Sequence, residues 1–250
     1  MKYLIIALIS ISLFSCEKDH EGYAVAGELK NVEDGKMVYI SALDQNNQPQ
    51  KLDSTAVENE KFSLDLKETE SPTLSFLNVE GINGNVIFIS ENETVKFEID
   101  KDSIHNSKVT GGKENKVFHQ YLDHLKQLNN RVTKMRNKMR VEFSSNPDSL
   151  TVVKLQQEEE ALRNSDMTFK KKMILENPDA YASVLILTDM QSMGAPYEDI
   201  TEYYEKLSDQ NKQTPIAKNL KADFERRSAT EVGSKAPEFS GPNPQEEVLA

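Results

Sequence analysis

From about Tyr23 to Thr110, apolar and polar residues alternate in short runs. Phe62, Leu64 and Leu66 alternate with polar neighbours, as do Val95, Phe97 and Ile99. A period of two buries one face of a strand and leaves the other in water. Val38-Tyr39-Ile40 and Leu74-Ser75-Phe76-Leu77 are further strand candidates. Val86-Ile87-Phe88-Ile89 is continuous and predicts a strand buried on both faces. Turn signals separate these runs: Asp34-Gly35, Asn46-Asn47, Glu58-Asn59-Glu60, Asn83-Gly84 and Glu91-Asn92-Glu93. Several short strands at this spacing predict an antiparallel β-sandwich or partial barrel.

At Gly111-Gly112 the period changes. Phe118, Tyr121, Leu125, Leu128, Val132, Met135 and Met139 follow steps of three and four, which predicts one apolar stripe along a long helix. Asn146-Pro147 ends it, and Asp148 or Ser149 can cap a second helix running to about Glu176. Leu155, Leu162, Phe169 and Met173 share one face of that helix, so the pair is expected as an antiparallel hairpin. Its stripe is expected as intramolecular core, with a dimer seam as the alternative. Beyond Asn177-Pro178, helices are expected over Ala180–Met190, Tyr197–Leu207 and Pro215–Arg227, the last with Thr214 as cap and Pro215 in first position. The class is α+β, with a β-rich domain over 23–110 and an α-helical domain over 111–228.

The first residues change the picture. Met1-Lys2 is followed by an apolar run from Tyr3 to Phe14 and then Ser15-Cys16. The layout is that of a secretory signal, and the run is shorter than the roughly 20 apolar residues a spanning helix needs. Leu13-Phe14-Ser15-Cys16 resembles a bacterial lipobox. The resemblance implies a signal peptide over 1–15, lipidation of Cys16 and a polar tether over 16–22. The expected location is the cell envelope, lipid-anchored to the inner or outer membrane and facing the periplasm. The competing reading is an ordinary N-terminal helix with a free cysteine; the abrupt polarity of Glu17-Lys18-Asp19-His20-Glu21 speaks against it.

Charge and cysteine content then narrow the chemistry. The formal charge of the 250 residues is −11, and loss of Lys2 makes it more negative still. Such a chain repels phosphate backbones, so nucleic acid is not an expected partner. Cys16 is the one cysteine, which excludes an internal disulfide, a CxxC pair and a cysteine metal site. The histidines are His20, His105, His119 and His124. His119 and His124 are five apart and do not share a helix face as i,i+4 ligands would, so a solvated surface is expected rather than a metal site. Glu158-Glu159-Glu160 and Lys170-Lys171-Lys172 read as solvated helix faces. Gly81-Ile82-Asn83-Gly84 reads as a turn, lacking the strand-to-helix setting of a phosphate loop. No G-x-S-x-G elbow occurs, and no motif calls for a cofactor. Ser54, Ser103 and Ser149 sit in triplets resembling the short O-glycosylation signal of Bacteroidota exported proteins.

The last stretch carries a family resemblance. Gly233-Ser234-Lys235-Ala236-Pro237-Glu238-Phe239 resembles the G-x-x-A-P-x-F lead-in to thioredoxin-like domains of the TlpA/ResA and AhpC/TSA type. There Pro237 would stiffen the entering chain and Phe239 would pack at the sheet edge, with Gly233 and Ala236 completing the motif. Val25-Ala26-Gly27-Glu28-Leu29, Val38-Tyr39-Ile40, Asp53-Ser54-Thr55-Ala56-Val57 and Lys61-Phe62-Ser63-Leu64 resemble the uncharacterised β-rich domain that opens such oxidoreductases in Bacteroidota. The family's CxxC would lie a few dozen residues beyond Phe239, so no catalytic residue transfers to this chain. Residues 229–250 are expected as a linker and the truncated start of a thioredoxin-like domain. The resemblance implies a membrane-anchored, non-catalytic accessory region of a thiol-disulfide oxidoreductase, with envelope protein thiols or disulfides as partners. The alternative is a stand-alone ligand- or protein-binding envelope lipoprotein.

Overall fold

The computed structural model describes residues 22–44, 48–144 and 148–228, with the short strands Gly241–Pro242 and Val248–Leu249. Cys16 and its tether lie outside them. The alternating runs become eight strands: β1 (Tyr23–Lys30), β2 (Met37–Leu43), β3 (Pro49–Ala56), β4 (Lys61–Leu66), β5 (Thr73–Val79), β6 (Val86–Ser90), β7 (Val95–Asp100) and β8 (Lys108–Thr110). They form two four-stranded sheets, ordered β4-β1-β7-β8 and β3-β2-β5-β6. The sheets face each other as a sandwich and do not close into a barrel.

One pair departs from the antiparallel expectation. β1 and β7 run parallel, with Val25 opposite Val95 and Leu29 opposite Ile99. Between β1 and β7 the chain visits the other sheet twice, returning through β4, and it enters β7 from the same end as β1. Parallel neighbours require such a long crossover.

The inner faces supply one core. Val25, Leu29, Leu64 and Ile99 meet Val38, Ile40, Leu77 and Val79. Phe88 and Phe97 pack edge to face with ring centres 5.1 Å apart. Gly27 occupies a core-facing position between Val25 and Leu29. A Cβ there would collide with the Phe97 backbone and the Phe62 ring, so only glycine fits. β6 is buried on both faces as its continuous pattern predicts. Val86 and Phe88 join the sandwich core, while Ile87 and Ile89 pack against the helices.

The helices are α1 (Lys113–Ser144), α2 (Ser149–Glu176), α3 (Tyr181–Ser192), α4 (Tyr197–Lys206), α5 (Asp209–Lys212) and α6 (Pro215–Ser228). Asp148, not Ser149, caps α2, its carboxylate accepting from the Thr151 N–H at 2.7 Å. α3 is the apolar centre, with Ile186, Leu187 and Met190 fully buried. The stripe of α1 is core only at its start. Val117, Phe118 and Tyr121 are buried, whereas Leu125, Leu128, Val132, Met135 and Met139 are half-buried. Beyond Tyr121 the stripe is covered mainly by α2, and a two-helix hairpin leaves one side of its seam open.

The joint between strands and helices is polar. Gly111 and Gly112, both at positive φ, turn the chain from β8 into α1. Glycine before a helix provides no capping oxygen. Glu91, at the end of β6, supplies it instead: its carboxylate accepts from the Glu114 and Asn115 N–H groups at 3.1 and 3.3 Å. A carboxylate is favoured at this positive helix end. A Cβ on Gly112 would overlap that carboxylate. The Asn115 side chain accepts from Ile89 N–H at 2.8 Å and donates to Ile89 C=O at 2.7 Å. Glu114 accepts from the Tyr181 N–H at 2.7 Å, which ties in the start of α3. Burial, with a contribution from Glu91, raises the Glu114 carboxyl above its ordinary value.

Asn115→Ala leaves two buried groups of Ile89 unpaired. It should cost about 2–4 kcal/mol in urea unfolding; a loss below about 1 kcal/mol would contradict this account. The raised Glu114 carboxyl has a signed consequence. The folded state holds that proton more tightly than the unfolded chain, so its contribution is present at low pH and lost as pH rises through the folded value. Glu114→Gln keeps an acceptor for Tyr181 and removes the ionisation. Its melting temperature relative to the parent should therefore be higher at neutral pH than in acid. An equal difference at both would exclude Glu114 as the source.

Candidate functional site

The most charged place in the interior lies where α1, α2 and α3 converge. Tyr121 and His124 are three apart on α1 and so face the same way. Asp166 and Lys170 are four apart on α2, and Asp189 comes from α3. Lys170 is fully buried and Asp166 is 2% exposed. The Lys170 Nζ lies 2.8 Å from Asp166 Oδ2 and 2.6 Å from Asp189 Oδ2. It also donates to the Met193 Sδ at 2.9 Å. An ammonium has three N–H donors, and all three are used.

Two side chains complete the network. Tyr121 O–H donates to Asp189 Oδ2 at 2.6 Å. Burial first, and then the Asp189 carboxylate, push the Tyr121 phenol far above its ordinary value, so it remains a donor. His124 Nε2 lies 2.8 Å from Asp166 Oδ1, and its ring stacks on Phe169 at 3.7 Å. The arrangement can brace three helices at one point. Its amine is saturated and its hydroxyl is held as a donor, so neither is free to act as a nucleophile.

A groove of about 200 Å³ adjoins the network, between α1 and α2. Leu128, Val132, Met135, Met139 and Leu162 line it, and Arg136, Glu159 and Arg163 rim it. The opposite flank of the hairpin is closed by Lys138 and Glu158, paired at 2.8 Å. On the β half, the outer face of β4, β1 and β7 forms an open concavity of about 760 Å³. Ala26 and Ser63 keep its floor low, and Glu28, Lys61, Lys96 and Glu98 surround it. A second concavity of about 570 Å³ lies near the start of β1. There Tyr23 O–H donates to Ser90 Oγ at 3.0 Å, and Ser90 and Ser75 are bonded at 2.6 Å.

Two sequence readings need correction. Lys170 is not on a solvated face; Asp166 and Asp189 draw it into the interior. His119 and His124 are not on a solvated surface either. His124 joins the network, and His119 Nε2 is buried with no hydrogen-bond partner. Burial holds the His119 imidazole below its ordinary value. Lys172 and Glu159 do lie on wet helix faces, in exposed i,i+4 pairs with Glu176 and Arg163. The i,i+4 spacing of Asp166 and Lys170 was the one local signal of the network. Asp189 lies on another helix and gives none.

Other singled-out residues are scattered. Ser54 is half-buried on β3, Ser103 lies in the 3-10 turn Lys101–Asn106 and Ser149 opens α2. Cys16, Gly233, Ala236, Pro237 and Phe239 lie outside the described residues. Among the described residues, no group of three or more His, Cys, Asp or Glu is placed to hold a metal ion. No described helix is long and apolar enough to cross a membrane.

Lys170→Met leaves the buried Asp166 without its cation. It should destabilise the chain by about 3–5 kcal/mol in denaturant. Adding Asp166→Asn should recover part of that loss; a further additive loss would refute the pairing.

No curated protein matches the chain. Residues 23–118, which span the eight strands and the first turns of α1 through Phe118, match the family model described as Domain of unknown function (DUF4369), so the chain contains a domain of that family.

Proposed function

We propose that this chain is the tethered, non-catalytic accessory region of a thiol-disulfide oxidoreductase, anchored to an envelope membrane through Cys16. The observation that carries the reading is the order of features along the sequence: lipobox, β-rich module, helical region, then Gly233-Ser234-Lys235-Ala236-Pro237-Glu238-Phe239. The polar joint around Glu91 and Asn115 supports it, because it ties the β module to the helices through paired hydrogen bonds. A spacer that positions a redox domain needs such stiffness. A thioredoxin-type nucleophile must be a thiolate, and the one thiol of this chain is assigned to the anchor. The open concavity over β4, β1 and β7 favours a second reading, a stand-alone binding lipoprotein that uses this face.

Radiolabelled palmitate should label the chain in bacterial cells, and Cys16→Ser should abolish the label and release the protein from the membrane fraction. Retention with full label would overturn the anchor. The chain should not reduce insulin disulfides, and measurable turnover would contradict the non-catalytic role. Sequencing the DNA after the codon for Ala250 separates the two readings. A frame continuing into W-C-x-x-C supports the first, and a stop codon supports the second.

A further inference from the structure

Exposed apolar side chains gather at the far end of the α1–α2 hairpin. Phe143 is 48% exposed, Leu150 63% and Val153 45%. The Lys138–Glu158 pair sets the antiparallel register, which puts Phe143 about level with Val153. This end lies roughly 30 Å beyond Tyr121, the last buried residue of α1.

The charge there opposes that of the chain. Between Lys126 and Arg140, α1 carries six basic residues and no acidic one, in a chain of formal charge −11. Lys134, Arg136 and Arg140 are exposed and make no ion pair among the described residues. The acids near this end are Glu142, half-buried, Asp148, which caps α2, and Glu158, Glu159 and Glu160 on α2; Glu158 is paired with Lys138 and Glu159 with Arg163, so the end keeps a net positive charge.

The directions of the apolar groups decide what fits. Phe143 follows Met139 by four and continues the seam of α1. Leu150 and Val153 are five and two residues before Leu155, the buried seam residue of α2, so they point away from α1. A second hairpin would cover one flank of this tip. A lipid interface surrounds a tip on all sides. An apolar end behind which a basic helix flank lies is the pattern that binds anionic membrane surfaces.

We propose that the tip of the α1–α2 hairpin docks on an anionic phospholipid surface, with Phe143, Leu150 and Val153 entering the headgroup boundary and Lys134, Arg136 and Arg140 meeting lipid phosphates. The contact is separate from the anchor proposed at Cys16 and does not depend on it.

The test uses the mature chain from residue 16 with Cys16→Ser, so that neither the apolar signal run nor an acyl group is present. An environment-sensitive fluorophore is placed on Phe143→Cys, and on Glu33→Cys in the β1–β2 turn as a control. The probes are vesicles of phosphatidylcholine alone and of phosphatidylcholine mixed with phosphatidylglycerol. The label at 143 should shift to the blue only with the mixed vesicles, and high salt should reverse the shift. The label at 33 should not respond. Reversing Lys134, Arg136 and Arg140 to Glu should weaken this response by at least ~100-fold, with thermal melts verifying that the exposed substitutions leave the fold intact. No shift at 143, or an equal shift with neutral vesicles, overturns the proposal. So does a shift without vesicles that tracks a dimer in sedimentation, which would assign the tip to a second copy. Acyl labelling at Cys16 is read separately, so failure of the anchor and failure of the tip are distinct results.

Discussion

The Glu91 carboxylate is the constraint on which the two halves of the molecule depend. It leaves β6, reaches the positive end of α1 and replaces the cap that Gly112 cannot supply. Asn115 then copies a strand neighbour by bonding both backbone groups of Ile89. Glu114 passes the connection on to α3. A loop between sandwich and helices would otherwise leave several buried donors unsatisfied, each costly. The domain match ending at Phe118 takes in all of these residues. The start of α1 is therefore part of the β module in a physical sense, although its backbone is helical.

The second polar focus differs in kind. At the joint, carboxylates meet backbone N–H groups, a neutral partner with a fixed direction. At Lys170, full charges meet in the interior, and the desolvation of both signs offsets much of their attraction. Such a network stabilises little overall but penalises any packing of α1, α2 and α3 that separates its members. Helices related only by apolar contact could slide by a turn. A lysine bonded to Asp166, Asp189 and Met193 fixes the rotation of α2.

The sequence made the elements legible because burial imposes a period. Phe62, Leu64 and Leu66 show their strand, and Val86 to Ile89 shows a strand covered twice. Neighbours are another matter. Alternation says which face is wet and nothing about which strand lies alongside, so the parallel β1–β7 pair was hidden. Lys170 looks like Lys171 and Lys172 in sequence; only Asp189, brought by another helix, distinguishes it. Glu91 reads as a turn residue, since the helix it caps begins far along the chain. The stripe of α1 reads as core because spacing reports a common face and not the amount of protein available to cover it.

The parallel pairing of β1 with β7 has a consequence for how the chain comes to be folded. Val25 cannot find its partner until Val95 has emerged. Contacts so distant in sequence are slow to form, since a long loop must close before they are rewarded. During that interval β1 has only β4 beside it, and one of its edges is open to strands of other molecules. Until β7 follows, that edge must be kept from the edges of other molecules, a requirement that the finished sandwich no longer displays.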